Sequence, residues 1–586
     1  MSIEYTIRIP NGNYLEYSVF TNNGFDKVDM QIKPTEDKLF HCDVFTHNGV
    51  NPILKHSSVR LNENIPAVLI LNGNKTYGRL NKRLLYKCVP DDHRIPSFLV
   101  PYEIKRMGFS KNIQNLYVTI KFINWDNTHP IGQLVQVIGN VDDLTSFYDY
   151  QLYCKSLNVV MKPFEKQVTS SIKKLKDLYD DIIVGIKNKY DNILVNKLHL
   201  NNIITIDPPN SIEFDDAVSI YEIEDNYIIS LYISNVTIWL NELNLWGSFT
   251  KRISSIYLPD KKRPMLPTQL SEGLCSLKEG VERFAFVLDI EINKKTYKIK
   301  DVRFYNSVIK VVKNYRYECD ELLKNPEYQK IFNVVKGMAD SKLNKQLSHN
   351  YTIQHSHDVI CYLMSIMNSI CAQKMLFARE GIFRSNNLLK PVPLQKEKEN
   401  NFPDQVSNFI YNWKNINCQY IDVCKVPSDE IESSIRHPTL NVCAYLHITS
   451  PIRRLVDILN MIKFQNIHGL LPQSDNSINF YNNWINQLEY INTASRSIKK
   501  LQTNCELLDM FSKNSQMLSR LYDGYCFDKI DRCDGLFQYM VYIPELKIVT
   551  RLTTSDDIST NSINKYQLYL FNNEERFTKK IRIRRT

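Results

Sequence analysis

Glycine is scarce in this chain of 586 residues: there are 17, and none falls in a GxGxxG or GxxxxGK[ST] run. The backbone cradles of dinucleotide-binding and nucleotide-driven proteins therefore lack their signature. HExxH is absent too, which removes the main support for a zinc protease. The 13 cysteines are odd in number, scattered, and form no CxxC pair. They read as core or surface thiols and not as a zinc or redox centre. Met1 to Phe20 carries acids and polar residues where a signal peptide needs an apolar run, and no later stretch offers about eighteen clean apolar positions. An intracellular setting is expected, cytoplasmic or nuclear, with no membrane partner.

With 43% hydrophobic and 23% charged residues, the chain has an ordinary globular composition, long enough for about three to five domains. A net charge of +10 is a modest excess that suits a polyanion partner. The 34 Tyr and 26 Phe offer stacking surface, although aromatics mostly fill cores.

Residues 1–60 open with a hairpin signature, Tyr5–Ile9 and Tyr14–Phe20 around Pro10-Asn11-Gly12-Asn13. Ala67–Leu71, Leu116–Ile123 and Gln133–Ile138 give residues 61–140 the texture of a five-stranded OB barrel. Residues 141–195 space Leu152, Leu157, Phe164, Ile172, Leu175, Leu178 and Ile182 as a helical connector. The block 196–520 mixes strands and helices, with little periodicity over 394–440. The tail, 521–586, returns to short strands and ends Lys580-Ile581-Arg582-Ile583-Arg584, whose alternation puts the basic residues on one face. The fold class expected is α+β multidomain, with OB-like β-barrels flanking a central mixed α/β domain.

The densest chemistry is in Thr205–Ala217, where Asp207, Glu213, Asp215 and Asp216 fall within ten residues between apolar runs. Pro208 and Pro209 deny this stretch a helix and hold it extended between two strands. Acid-rich loops are most often solvated turns or calcium loops, but Ile212 stands where a calcium loop needs its Gly. Drawn into an interior, four such charges need a cation, and an all-oxygen set suits Mg²⁺, with Mn²⁺ possible, and a phosphate beside it.

A second constellation begins at His447. Ser450 reads as an N-cap, Pro451 as the first helical residue, and Ile452, Leu455, Val456, Leu459 and Ile462 as the buried stripe of a helix ending near Gly469. Free backbone N–H groups beside Arg453 and Arg454 would make a phosphate site. The plainer reading is that Arg453 pairs with Asp457 one turn on.

Together these motifs resemble the ribonuclease II/ribonuclease R family. The resemblance rests on the acid cluster, on SIYLP at Ser255–Pro259 with PMLP at Pro264–Pro267 and LSEGLCSL at Leu270–Leu277, and on TSPIRR at Thr449–Arg454, collinear over about 250 residues. DHRIP at Asp92–Pro96, Trp125, and Pro130-Ile131-Gly132 look like the second cold-shock domain of the eukaryotic exosome-catalytic-subunit branch. The resemblance implies that residues 196–520 are an RNB catalytic domain, with OB-like domains at 61–140 and 521–586 and a possible first cold-shock unit at 1–60. It implies that Asp207, Glu213, Asp215 and Asp216 hold Mg²⁺. Arg453 would contact the scissile phosphate, Tyr317 would stand in the catalytic cavity, and Tyr257 and Arg454 would meet the RNA. The expected protein is a monomeric, magnesium-dependent 3′-to-5′ exoribonuclease acting on single-stranded RNA. No second nuclease domain is implied.

The chain departs from the family pattern. Glu213 replaces an aspartate, Tyr362 stands where a glutamate is usual, Met461-Ile462 replaces a histidine-arginine pair, and Leu455 replaces an aromatic. The family's Arg-Gly-Ala segment is not found, Ser348–Gln354 standing near its place. These leave an inactive RNA-binding relative as the alternative. A generic single-strand binder explains the two ends but leaves the acids idle.

Overall fold

A computed structural model describes residues 3–22, 26–104, 114–174, 179–190, 193–195, 202–341, 352–386, 402–403, 406–407, 409–410, 418–437, 442–532, 534–560, 562–574 and 576–586. Much of the 394–440 stretch, Ser348–Tyr351, Leu175, Leu178 and the Ile182 side chain lie outside these described residues. The chain forms two compact units: residues 1–158, 258–260 and 499–586 make one, and 159–257 with 261–498 the other.

In the first unit an antiparallel N-terminal sheet runs Lys27–Val28, Ser18–Thr21, Glu4–Arg8, Val44–His47, Pro52–His56. The expected hairpin is present, with Tyr5 opposite Thr21 and Arg8 opposite Ser18. Strand Ile65–Leu69 then pairs with both Leu116–Asn124 and Arg83–Pro90, closing a five-stranded barrel with Phe98–Tyr102 and Ile131–Asn140. Phe40 and Phe45 of the first segment share one core with Phe98, Val118, Ile120 and Trp125 of the barrel. Two β units thus bury a single interior. The tail forms a second five-stranded sheet around Tyr522, Tyr539, Val541, Leu568 and Ile583. In its last strand, Lys579–Arg585, Ile583 is buried while Lys580, Arg582 and Arg584 are exposed, as the alternation predicts.

The second unit is built on a seven-stranded sheet. Its order is Ile193–Val195, Ile299–Lys310, Glu282–Asn293, Asn226–Ser234, Asp216–Ile223, Ile204–Asp207, Lys313–Arg316. Period-two alternation supplies both faces with apolar residues. Ile204, Ile206, Val218, Ile220, Ile229, Leu231 and Ile233 join one core with Val335, Leu363, Met367 and Phe464 from helices Pro326–Asp340, Ser356–Phe377 and Leu455–Ile467. Ile203, Ala217, Tyr232, Ala285 and Val287 form a smaller core on the other face. The helix Ser356–Phe377 is long and apolar enough to cross a membrane by length and composition, contrary to the expectation that no stretch of the chain is. Most of it is buried inside the fold, and it is the core helix of this unit.

Behind the sheet lies a closed polar network. Asn235 Nδ2 donates to Asn306 Oδ1 at 2.9 Å and Gln465 Oε1 at 3.0 Å, and Gln465 Nε2 donates to Thr237 Oγ1 at 3.1 Å. All four residues are buried, so a shift of the Leu455–Ile467 helix would strand several polar groups at once. The same helix packs Phe464 against Phe286 and Phe304, with ring centroids 5.3 and 4.7 Å apart. Phe464→Ala should lower the stability of this unit by about 3–5 kcal/mol, the range for truncating a buried Phe. A denaturant titration followed by near-UV dichroism measures it, and a loss under about 1 kcal/mol would mean the site collapses freely around the gap.

Candidate functional site

Asp207 ends the Ile204–Asp207 strand, and its carbonyl accepts the Tyr317 N–H at 2.9 Å. The proline-stiffened loop that follows is pinned at its far end: Phe214 N–H donates to Ser276 Oγ at 3.1 Å and its carbonyl accepts from Leu277 N–H at 3.0 Å. The chain then re-enters the sheet at Asp216, so that the strand geometry delivers Asp207, Asp215 and Asp216 to one sheet end. All four predicted acids line a cleft of about 670 Å³ with Tyr257, Tyr317, Arg453 and Arg454. The predicted site residues are thus brought together.

Asp215 is buried and holds the second constellation in place. Its Oδ1 accepts the Ile452 N–H at 2.9 Å and its Oδ2 accepts from Arg453 Nε at 3.1 Å. The expected helix start at Ser450-Pro451 is corrected here. Residues 450–454 form a turn, and the helix begins at Leu455, because the Leu455 N–H goes to the Ile253 carbonyl and Ser255 N–H goes to the Arg453 carbonyl. The turn's N–H groups are also spoken for: Ile452 by Asp215, Ser450 by Asp457 Oδ1 at 2.7 Å, and Arg453 and Arg454 by the Ser450 carbonyl. The backbone phosphate cradle expected from the sequence is therefore not available. What remains for an anion is the Arg453 side chain, which is 45% exposed. Arg454, not Arg453, pairs with the fully buried Asp457, through Nε at 2.8 Å and a second nitrogen at 2.9 Å. Its guanidinium lines the cleft but is engaged by that carboxylate.

The helix Ser356–Phe377 presents His357, Ile360, Cys361, Met364, Ser365 and Asn368 to the cleft, the spacing of one helical face. Asn368 ties this helix to the second constellation, donating to Tyr445 Oη at 3.0 Å and accepting from the Ile448 N–H at 3.0 Å. Tyr362 is turned into the core, so the position at which a glutamate is usual does not face the site. Sequence reasoning missed Lys262, which lines the cleft with its Nζ 2.6 Å from Glu213 Oε1, and Arg316, which donates to the Pro208 carbonyl at 3.2 Å. Their one sequence signal was position beside motifs already singled out, Lys262 next to Pro264–Pro267 and Arg316 next to Tyr317.

The electrostatics are those of crowded acids. Burial, with Asp215 nearby, pushes the Asp207 carboxyl up to about 7 against the help of a Thr205 hydrogen bond. Burial likewise lifts Asp215 to about 6, with Arg453 opposing, and raises Asp216 well above its usual range, with Asp207 and Asp215 adding to the effect. Burial also keeps the Tyr317 phenol protonated, the two acids Asp216 and Asp207 reinforcing it, and pushes Tyr257 up to about 12. Asp207 Oδ2 is buried with no hydrogen-bond partner. Among the described residues, no three His, Cys, Asp or Glu side chains already converge at the spacing of a metal centre. The orphaned oxygen and the mutual repulsion nonetheless fit a hard divalent cation shared by Asp207 and Asp216, with Asp215 adjoining.

Residues 195–358, which carry the acid cluster, match the RNB domain model. Residues 85–147 match the model of the Dis3-like cold-shock domain 2. DIS3-like exonuclease 2 of Schizosaccharomyces pombe is 26% identical over 415 residues, covering 65% of this chain and 41% of that protein. The chain's matches span 23% to 47% of the lengths of the ribonuclease R relatives from two Chlamydia species. Among solved structures, Mycoplasma genitalium RNase R superposes with a TM-score of 0.64 at 17% identity, covering 96% of this chain and 98% of that one. That enzyme is also known with ribose-methylated single-stranded RNA and with double-stranded RNA. Yeast Ssd1, a pseudonuclease, superposes at 0.55 with 15% identity, covering 94% and 79%. At these identities the structural likenesses establish the fold.

The raised acids make a prediction about stability. Asp207 binds its proton in the folded state up to about pH 7 but in the unfolded chain only below about 3.8. Folding is therefore weakened as pH rises through that window, and fully so above it. In chelator-treated buffer Asp207→Asn should gain on the order of 2–4 kcal/mol at pH 8, shrinking towards nothing near pH 4. Denaturant midpoints at the two pH values test this, and no gain at pH 8 would show that Asp207 is not under strain from burial and its neighbours.

Proposed function

We propose that the chain is a 3′-to-5′ exoribonuclease that hydrolyses single-stranded RNA to nucleoside 5′-monophosphates with Mg²⁺ as its cofactor, Mn²⁺ substituting. The observation that carries this reading is the meeting of Asp207, Asp215 and Asp216 with Arg453 in one cleft, across 238 residues of sequence. Asp207 and Asp216 would hold a divalent cation, which would supply Lewis acidity and charge for attack at a phosphodiester. The chain's own residues do the rest. Arg453, held by its Nε on Asp215 and by Nη2 on Ser450 Oγ at 2.9 Å, keeps Nη1 for a phosphate and compensates charge that grows as the bond breaks. Tyr257 is 41% exposed and lines the cleft, a platform for a base irrespective of its identity. The Tyr317 phenol, kept protonated, can donate a hydrogen bond but cannot serve as a base near neutral pH. Binding by backbone charge and stacking makes sequence nearly irrelevant, and affinity should fall linearly with salt on logarithmic axes.

The inactive reading has one observation in its favour, the occupation of Glu213 by Lys262. A single assay separates the two. Purified protein is incubated with 5′-labelled and 3′-labelled single-stranded RNA and Mg²⁺, beside Asp216→Asn. The expected result is mononucleotide release from the 3′ end, reduced by at least about a hundredfold in the variant while RNA binding persists. Tight binding with no product at any Mg²⁺ or Mn²⁺ concentration would leave an RNA-binding protein without nuclease activity.

A further inference from the structure

The second acid of the cluster is the one that differs from the family pattern, and the structure puts a lysine on it. Lys262 Nζ lies 2.6 Å from Glu213 Oε1 and 3.9 Å from Glu272 Oε1. The pair is not a surface accident: the Glu213 side chain is 7% exposed and that of Lys262 is 19% exposed. Lys262 belongs to a two-residue strand, Lys262–Arg263, paired with Ile256–Tyr257, and in that ladder it stands opposite Tyr257. Arg263, one residue on, is buried and donates to the Lys261 carbonyl at 2.7 Å. Strand alternation therefore commits Lys262 to the cleft side, where it lines the same cavity as the three aspartates.

An ammonium in contact with a carboxylate competes directly with a divalent cation for that carboxylate. Asp207 Oδ2, by contrast, is left without a partner. The extra methylene of a glutamate, about 1.5 Å of reach, suits a side chain that must stretch to a lysine and not to a shared ion. Resting on the nuclease reading only for the existence of the ion site, we infer that Lys262 is a built-in counter-cation that holds Glu213 out of that site. The ion is held by Asp207 and Asp216, beside Asp215 on its own counter-cation Arg453, and Glu213 is a positioning residue that aims Lys262 into the cleft. There its ammonium, beside Tyr257, is placed to meet an RNA phosphate once the strand arrives.

The test reads ion binding and needs no turnover. Mn²⁺ alone is titrated into the full chain by calorimetry and by electron paramagnetic resonance, in wild type, Asp216→Asn, Glu213→Gln, Lys262→Met, Lys262→Arg and the Glu213→Gln/Lys262→Met double variant. Circular dichroism confirms that each is folded, and the double variant, which leaves neither charge unpaired, stands in should Lys262→Met fail to fold. Asp216→Asn should weaken Mn²⁺ binding by tenfold or more, on the order of a typical ligand loss. Glu213→Gln and the double variant should stay within about threefold of wild type. Lys262→Met should bind Mn²⁺ about fivefold more tightly or better, since the freed glutamate joins the ion, and Lys262→Arg should restore the wild-type value. RNA affinity measured without divalent ions should drop in Lys262→Met and return in Lys262→Arg. Equal weakening by Glu213→Gln and Asp216→Asn would overturn the inference and leave the ion site intact. No effect of Asp216→Asn would instead remove the ion site itself, and with it the nuclease reading.

Discussion

One carboxylate holds this site together. Asp215 is buried at the end of a sheet strand, and from there it accepts both the Ile452 N–H and the Arg453 Nε. Neither acceptor oxygen is spare, so the loop bearing Arg453 has one position relative to the acids. The clamp is reinforced from the far side, where residues 253–255 take the backbone groups of Arg453 to Leu455. The same segment continues into Tyr257, so the ring that faces the cleft and the guanidinium beside it are set by one short stretch of strand pairing. Helix Leu455–Ile467 then anchors the assembly to the sheet through Phe464 and the Gln465 network.

Around that clamp the cleft gathers like charges. Three aspartates share a water-poor sheet end, and each is pushed towards its neutral form by burial before its neighbours are counted. Two internal cations answer them: Arg453 for Asp215, and Lys262 for Glu213. Asp207 and Asp216 have no such answer among the salt bridges of the described residues, and they are where the remaining negative charge collects. A site arranged in this way sacrifices stability for a concentration of acids, the usual relation between functional sites and their scaffolds.

Much of this was legible in the chain. Strand alternation predicted barrel strands, the N-terminal hairpin, and the basic face of the last strand, because period-two patterning is local and the buried face is paid in apolar residues. The acid cluster was legible for the same reason, since two prolines and two flanking strands leave it little freedom. Other readings failed where a distant partner outbid the local signal. Ser450-Pro451 has the local chemistry of a helix start, but Ile253 and Asp215 capture the N–H groups that a helix would leave free. Arg453 was within reach of Asp457 one turn on, yet Asp215 took it and Arg454 took Asp457 instead. Tyr362 aligned with a functional position and proved to be a core residue.

By itself, then, the order of residues determined most of the strands, the resemblance to RNB-domain proteins and the list of candidate acids, all of which depend on neighbours within a few positions or on motifs in series. Only the tertiary structure decided which charge faces which. Lys262 and Glu213 are 49 positions apart, Asp215 and Arg453 are 238 apart, and no local rule ranks such partners. The ranking comes from burial, which makes a charge costly unless the fold brings it a counter-charge, and burial is a property of the folded chain alone.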